Sequence, residues 1–272
     1  MITESVESAL VELYAEVGGP ANGAALAAVG SLARRELGPR SDIDLVLLHN
    51  GRSSTKINTL AGDLWYPLWD ARIRVDHAVR TPAECADVAG RELSAGVGLL
   101  DLRVIAGDVD LVKGARTALL DSWRGNARKR LPELLASLDE RLATFGDAAY
   151  LLEPDLKEAR GGFRDVSLLR ALAASWLTDR PHVGIREPYD RLLDVRDALH
   201  VASGRTLDRL LASETDAVAI RLGYSDADDL RRDVSLAARR IGHAVDLTLR
   251  AALVVVCGRC RARCQAAPCE RP

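Results

Sequence analysis

The sequence predicts an α+β protein in which a small mixed sheet is followed by an all-helical domain. Two apolar runs, Ala24 to Val29 and Ile43 to Leu48, are typical of buried strands. Residues 72–80 alternate apolar and polar side chains, as a half-buried third strand does. From about Glu92 onward strand patterns disappear and helical patterns dominate. We therefore expect a core domain over residues 1–105, a helical domain over 106–252 and a disordered Cys/Arg-rich tail over 253–272.

The helices of the core domain are predicted from apolar spacing and from end signals. Residues 4–17 place apolar side chains three or four positions apart, and Gly-Gly-Pro at 18–20 ends that helix. Residues 56–69 repeat leucines on one face, and Pro67 should kink or stop this helix near its end. Thr81 and Glu84 form a capping box with a proline at the first helical position. Within that third helix, Cys85 is expected to be a small buried apolar residue.

Composition excludes several classes of protein. The 272 residues are 48% hydrophobic and 28% charged with a net charge of −2, so no positive field attracts nucleic acid or an anionic membrane. The apolar stretch Ala251 to Cys257 is too short to span a bilayer, and the first residues lack a basic signal-peptide region. We expect a cytoplasmic protein that binds neither nucleic acid nor membrane.

Two aspartates mark the start of the second strand. Asp42 and Asp44 are two positions apart, so strand geometry directs both side chains to one face with Cα atoms about 6.5 Å apart. Carboxylates among Ile43, Leu45 and Val46 are costly to bury unless a cation neutralises them. Oxygen ligands of this kind suit Mg²⁺, which usually shares its coordination shell with substrate phosphates. Asp42 and Asp44 are therefore predicted metal ligands and catalytic residues.

A Gly-Ser turn lies between the first two strands. Gly30 lets the chain turn sharply and approach a phosphate, and Ser31 opens a helix, where anions are favoured. Together with the two aspartates this predicts a nucleoside-triphosphate site. The arrangement of Gly-Ser, ten intervening residues and Asp-Ile-Asp-Leu resembles the nucleotidyltransferase superfamily of the polymerase β type. The alternative is a plain turn followed by an edge strand with surface acids.

This superfamily commonly adds a third acid from a neighbouring strand, and Asp76 is the leading candidate for it. The alternation of residues 72–80 places Asp76 on the polar face, with Arg72, Arg74 and Arg80 nearby. Its pairing with the strand of Asp42 and Asp44 is a hypothesis. The alternative is a surface aspartate paired with these arginines, and Asp70, which closes a helix, is the second candidate for the third acid.

A second motif follows in the helical domain, at residues 152–166. Its glycine pair precedes a predicted helix that starts at Phe163, with Lys157, Arg160 and Arg164 around it. Glycines and cations in this arrangement can hold a phosphate from the helical side. A solvated interhelical loop with ordinary capping is the alternative interpretation.

Four strings of residues then resemble the protein-PII uridylyltransferase family, over roughly residues 24 to 250. They are Glu-Leu-Gly-Pro-Arg-Ser-Asp-Ile-Asp-Leu at 36–45 after the Gly-Ser turn, Leu-Trp-Asp at 68–70 with Val-Asp-His-Ala-Val-Arg-Thr at 75–81, Glu-Pro-Asp-Leu-Lys at 153–157 and Gly-Gly-Phe-Arg-Asp at 161–165. The resemblance implies a polymerase β-like core and Mg²⁺-dependent transfer of UMP or AMP, from UTP or ATP, to a tyrosine of the PII protein with release of pyrophosphate.

The resemblance also implies roles for particular residues. Asp42, Asp44 and Asp76 would be metal ligands and catalytic residues, with Asp76 as a possible base toward the tyrosine. The nucleotide would be bound by residues of both motifs, namely Gly30, Ser31, Arg34, Ser41, Lys157, Gly161, Gly162 and Arg164. Full-length members of the family add an HD phosphohydrolase domain and ACT domains, so this chain is expected to be truncated before them. The alternatives are a glutamine synthetase adenylyltransferase-like enzyme and a non-catalytic stub that binds PII or nucleotide.

The remaining cysteines crowd into the last sixteen residues. Cys257, Cys260, Cys264 and Cys269 alternate with arginines, and Cys-x-x-Cys followed by two more cysteines could bind zinc. No apolar segment follows against which such a site could pack, so a disordered tail is the favoured interpretation and a zinc site the alternative.

Overall fold

The computed structural model describes residues 2–52, 54–178 and 184–266, with residues 54 and 257–266 described by backbone alone. The chain divides into two compact units. The first comprises residues 1–123 and 200–207, and the second comprises residues 124–199 and 208–272. The expected boundary between residues 105 and 106 falls inside a strand, and the division between the units lies elsewhere.

The first unit carries the sheet. Its helices and strands, in chain order, are α1 (Ile2–Glu16), β1 (Ala24–Ala28), α2 (Gly30–Ala33), β2 (Ile43–His49), α3 (Ser54–Asp70), β3 (Val75–Arg80), α4 (Pro82–Arg91), α5 (Leu93–Leu99), β4 (Arg103–Gly107) and the first part of α6 (Val109–Phe145). The predicted helices and the first three strands are all present. Helix α3 continues past Pro67 and ends three residues later, and β3 begins at Val75 because Arg72, with a φ of 56°, lies in a turn.

The sheet has four strands in the order β3-β2-β1-β4. Strand β1 pairs antiparallel with both β2 and β4, whereas β2 and β3 are parallel, so the sheet is mixed as the sequence predicts. The prediction of no strand beyond Glu92 was wrong, because Arg103–Gly107 forms β4. This strand has only five residues and all of them are half-buried, so it shows neither the apolar run nor the clean alternation by which a strand is recognised.

Both faces of the sheet are covered by helices. Leu26, Leu45 and Leu47 face a core completed by Leu10 of α1 and Leu64 of α3. The alternate residues of the same strands, including Val46 and Leu48, face a second core with residues of α4, α5 and α6. Cys85 is fully buried there as predicted, and burial raises the pKa of its thiol to about 11. The predicted capping box of Thr81 and Glu84 at the start of α4 is confirmed.

The second unit is helical, as predicted. It contains the remainder of α6, then α7 (Phe163–Ala174), α8 (Arg186–Ser203) up to residue 199, α9 (Ala212–Leu222) and α10 (Ala227–Ala266), and α7 and α9 both pack on α10. The segment from 253 was expected to be disordered, but the backbone of α10 is helical to Ala266, since its helical pattern simply continues. The proposed zinc ligands among the tail cysteines lie outside the residues whose side chains are described. No described helix is both long enough and apolar enough to cross a membrane.

Candidate active site

The turn between β1 and α2 lies directly against the Asp44 side chain. Gly30 has a φ of 60°, in the left-handed region that favours glycine. A Cβ added at this position would overlap Asp44 Oδ2, so the backbone approaches this carboxylate as closely as only a glycine allows. The Val29 amide also donates a hydrogen bond of 3.1 Å to the backbone oxygen of Asp44. The predicted proximity of the Gly-Ser turn to Asp44 is therefore confirmed.

Asp44 and Asp76 lie next to each other on parallel strands. The register pairs Asp44 with Asp76, so the hypothesis that β3 pairs with β2 is confirmed. Neighbouring strands are about 4.8 Å apart, and residues in register direct their side chains to the same face. Asp76 is exposed and, within the described part of the chain, forms no ion pair. The alternative interpretation, in which Asp76 is a surface residue paired with the nearby arginines, is therefore not what the structure has. The carboxylates of Asp44 and Asp76 therefore lie on the same face of the sheet, which is the face that carries Val46.

Asp42 precedes β2 and is paired with an arginine. Its Oδ1 lies 2.7 Å from Arg74 Nε, and both side chains are about half exposed. Arg74 also donates to the backbone oxygen of Arg40 and to the Thr206 hydroxyl, which itself donates 2.9 Å to the same oxygen. The sequence placed Arg74 near Asp76. It did not predict that Arg74 forms its ion pair with Asp42 or its hydrogen bond with Thr206. This ion pair places a guanidinium directly beside the Asp42 carboxylate.

The donor chemistry suits a hard divalent cation. Carboxylate oxygens are the protein ligands that Mg²⁺ prefers, and Asp44 and Asp76 supply them side by side. Across the described residues, no three His, Cys, Asp or Glu side chains form a cluster that could by itself hold a metal ion. A cation here would therefore complete its coordination with water or substrate oxygens, which is usual for Mg²⁺.

Two other predicted nucleotide ligands of the first unit, Arg34 and Ser41, already have partners for their side chains within the protein. Arg34 donates to Glu36 and to Asp101, each at 2.7 Å. The Ser41 hydroxyl accepts a hydrogen bond of 3.0 Å from the Gly38 amide and so closes the turn that leads into β2. Ser31 lies in the first turn of α2, directly after Gly30. Their role toward a nucleotide stays a prediction.

The glycine pair of the second motif serves the packing of its own unit. Gly161 has a φ of 85°, and a Cβ there would overlap the backbone of Ala238 in α10. A Cβ at Gly162 would overlap the backbone oxygen of Leu156. The Gly161 amide donates 2.7 Å to Asp165 Oδ2, and the Gly162 amide donates 3.0 Å to the Ala159 oxygen. Both amides thus form hydrogen bonds within the protein. The loop is packed against α10, in contrast to the solvated loop of the alternative interpretation.

Asp165, in the first turn of α7, binds that loop. Its carboxylate is fully buried and lies 2.6 Å from Arg141 Nη2, in addition to its bond from Gly161. The sequence included Asp165 in the motif without a role, and the burial of this charge carries no periodic signal. The motif cations are also paired: Lys157 lies 3.8 Å from Asp208, Arg160 2.7 Å from Asp246 and Arg164 3.2 Å from Glu158. Nucleotide binding by Lys157, Gly161, Gly162 and Arg164 therefore stays a prediction.

Comparisons with known proteins agree with the resemblance. Residues 129–249 match the family model described as GlnD PII-uridylyltransferase, and residues 9–98 match the model described as nucleotidyltransferase domain. A bifunctional uridylyltransferase/uridylyl-removing enzyme of Streptomyces coelicolor is 51% identical over 249 residues, which cover 92% of this chain and 30% of the relative. Proteins of the same name from Mycobacterium tuberculosis and Corynebacterium glutamicum are 43% and 39% identical, over 90% and 85% of this chain and 32% of each relative. The chain thus spans about a third of the length of these relatives.

Proposed function

Because its two matched domains assign this chain to the PII-uridylyltransferase family, we propose that it transfers a nucleoside monophosphate from UTP or ATP to a tyrosine of the PII protein, with release of pyrophosphate. One observation carries the proposal. Asp44 and Asp76 stand in register on parallel strands, and the backbone of Gly30 lies against Asp44. Such an arrangement suits metal-assisted transfer of a phosphoryl-type group.

The chemistry is an in-line displacement at the α-phosphorus. The tyrosine Oη forms a bond to this phosphorus while the bond from phosphorus to the bridging oxygen of the β-phosphate breaks, and pyrophosphate leaves with that electron pair. The hydroxyl proton passes to a carboxylate, for which exposed Asp76 is our candidate base. Mg²⁺, when bound by Asp44 and Asp76, would stabilise the negative charge that develops on the attacking and leaving oxygens.

The protein's own contribution is positioning. The Gly30 turn holds the start of α2 against Asp44, so a triphosphate near the turn would lie beside this carboxylate. Asp42, held by Arg74, borders the same strand and would complete the acidic side of the site if a substrate or cation displaced the arginine. Arg34 and Ser41 line the segment between Gly30 and Asp42 and remain our candidates for phosphate contacts.

A transfer assay tests this proposal directly. The chain is incubated with PII protein, Mg²⁺ and UTP or ATP labelled at the α-phosphate, and label on PII is measured. We expect label with at least one nucleotide and a loss of at least about a hundredfold in rate for Asp44→Asn, since it removes a carboxylate that would bind the cation. Asp63→Asn, an exposed aspartate of α3, is the matched control and should retain the full rate.

Each alternative gives a distinct result in the same assay. Absence of label with both nucleotides contradicts the proposal. Mg²⁺-dependent nucleotide binding without transfer identifies a non-catalytic stub, and transfer of AMP to glutamine synthetase but not to PII identifies an adenylyltransferase-like enzyme. Asp76→Asn with full turnover would remove Asp76 from the mechanism without affecting the assignment of Asp44.

A further inference from the structure

Strand β3 is an open edge of the sheet. It is the outermost strand in the order β3-β2-β1-β4 and pairs only with β2 among the described strands. None of its six residues is buried, whereas all five residues of β1 are buried. An exposed edge strand leaves a row of backbone donors and acceptors available to another chain.

The register identifies which backbone groups of β3 point outward. Ile43 is paired with Val75, and its amide donates to the oxygen of Arg74. In a parallel ladder this residue also accepts from the amide of Asp76, so Asp76, Ala78 and Arg80 bond inward to β2. The amides and carbonyls of Val75, His77 and Val79 therefore point away from β2, and no described residue hydrogen-bonds to them.

Aromatic side chains border the same edge. The His77 ring lies 4.9 Å from that of Trp65 and 5.3 Å from that of Trp69, which in turn stands edge-on to Tyr66 at 5.5 Å. Tyr66 is 64% exposed and Trp69 is 43% exposed, although both are large and partly apolar. Exposed aromatic groups of this kind are enriched at sites where proteins bind other proteins.

The charge of this edge is positive. Of the three arginines in residues 72–80, Arg74 is paired with Asp42, whereas Arg72 and Arg80 form no ion pair with any described residue. Against these two unpaired arginines the strand carries one carboxylate, that of Asp76. An incoming segment with acidic residues complements this edge, whereas an identical β3 from a second copy would place like charges opposite each other.

We propose that the open edge of β3 receives an extended, acidic segment of the acceptor protein as an added strand, and that this segment carries the tyrosine to be modified. The inference rests on the proposed function and identifies how that function holds its protein substrate. A residue in register with Asp76 directs its side chain to the face of Asp76 and Asp44, one strand spacing of about 4.8 Å from Asp76 and two such spacings from Asp44. Its sequence neighbours point to the opposite face, toward Trp69 and His77. Strand addition of this kind is a recurring mode of peptide recognition.

Amide hydrogen exchange tests the docking without requiring turnover. The Asp44→Asn chain is mixed with PII protein, and exchange is measured at single residues. We expect the outward amides of His77 and Val79 to slow at least about tenfold, because they gain hydrogen bonds. The inward amides of Asp76 and Ala78 are the internal control and should change little, since they already bond to β2.

A kinetic variant tests the aromatic border. Trp69→Ala should raise the KM for PII about tenfold while kcat and the KM for the nucleotide stay the same, since it removes a contact made only with the protein substrate. Trp176→Ala is the matched control, because Trp176 is 74% exposed but belongs to the other compact unit, and it should leave all three constants unchanged.

The outcomes separate this inference from the proposed function. Transfer to PII without slower exchange at His77 and Val79 overturns the docking site and leaves the function intact. Slower exchange at these amides without transfer by the unmodified chain supports the docking site and contradicts the function. Slower exchange that appears on raising the concentration of the chain alone means that a second copy occupies the edge, and it overturns the proposal.

Discussion

Gly30 combines a left-handed backbone conformation with a close contact to the Asp44 carboxylate. Gly30→Ala should lower the free energy of unfolding by roughly 1–2 kcal/mol from its left-handed φ, and should also displace the Asp44 carboxylate. Gly18 has a similar φ of 71° with nothing within 4 Å of an added Cβ, so Gly18→Ala carries only the backbone cost. Urea unfolding and the transfer assay should show similar stability losses but an activity loss only at Gly30. Equal activity in both variants would show that contact with Asp44 does not matter.

Tyr14 links the stability of the first unit to alkaline pH. Its hydroxyl lies 3.0 Å from the Pro20 oxygen and 3.1 Å from the Ala24 oxygen, and burial followed by the nearby Asp108 carboxylate raises its pKa to about 12. In the unfolded chain the Tyr14 hydroxyl has its ordinary pKa of 10.0. The contribution of Tyr14 to the free energy of unfolding is therefore complete below pH 10 and disappears as the pH rises through 12.

A variant isolates this effect. Tyr14→Phe should cost about 1 kcal/mol near neutral pH because it removes a buried hydrogen bond. Between pH 10 and 12 its urea midpoint should fall less steeply than that of the unmodified chain. Parallel curves over that range would contradict the assignment of the pH dependence to Tyr14.

At the scale of elements, local signals predicted most of the fold. The apolar runs of β1 and β2 and the capping box of α4 depend on residues close in sequence, so they can be read directly. Strand β4 depends instead on its pairing with β1, a partner distant in sequence, and its five half-buried residues carry no period of their own. The same holds for Asp165, whose partner Arg141 lies on another helix.

The loop before α7 should depend on Asp165 for its stability. Asp165→Ala leaves the Arg141 guanidinium, which is only 15% exposed, without its carboxylate, and breaking a buried pair in this way costs about 3–5 kcal/mol. Asp165→Asn retains an acceptor and should cost less. Glu158→Gln, which breaks the more exposed pair with Arg164, should cost about 1 kcal/mol or less. Unfolding by urea measures all three, and a small loss for Asp165→Ala would contradict the structural role.

At the scale of the whole molecule, substrate binding should appear as thermal stabilisation. A nucleoside triphosphate present with Mg²⁺ at about a hundred times its Kd stabilises the folded state by about 2.7 kcal/mol, equivalent to roughly 5–10 °C in Tm. Comparing UTP with ATP in a thermal-unfolding assay identifies the preferred base. Omission of Mg²⁺, or Asp44→Asn, should remove the shift, and a shift independent of both would place the nucleotide away from Asp44.

The geometry of the candidate site was predictable where its residues share a strand or a turn. The proximity of Gly30 to Asp44 follows from one short string, and the alternation of its own strand placed Asp76 on the polar face. The pair between Asp42 and Arg74 could not be predicted in the same way, because it depends on the register of two strands and on Thr206, far along the chain. Sequence patterns indicate which face of a strand or helix a side chain occupies, whereas its ion-pair and hydrogen-bond partners depend on how the elements pack in three dimensions.

The membership of residues 200–207 in the first unit limits how the protein can be divided. The polypeptide passes from one unit to the other after Trp123, returns at His200 and leaves again after Leu207. A fragment cut after Trp123 would therefore lack the Thr206 hydroxyl that binds Arg74 and the Arg40 carbonyl. Isolating the first unit by a single cleavage would leave the arginine beside Asp42 with one anchor fewer, so activity lost in such a fragment would not argue against the proposed site.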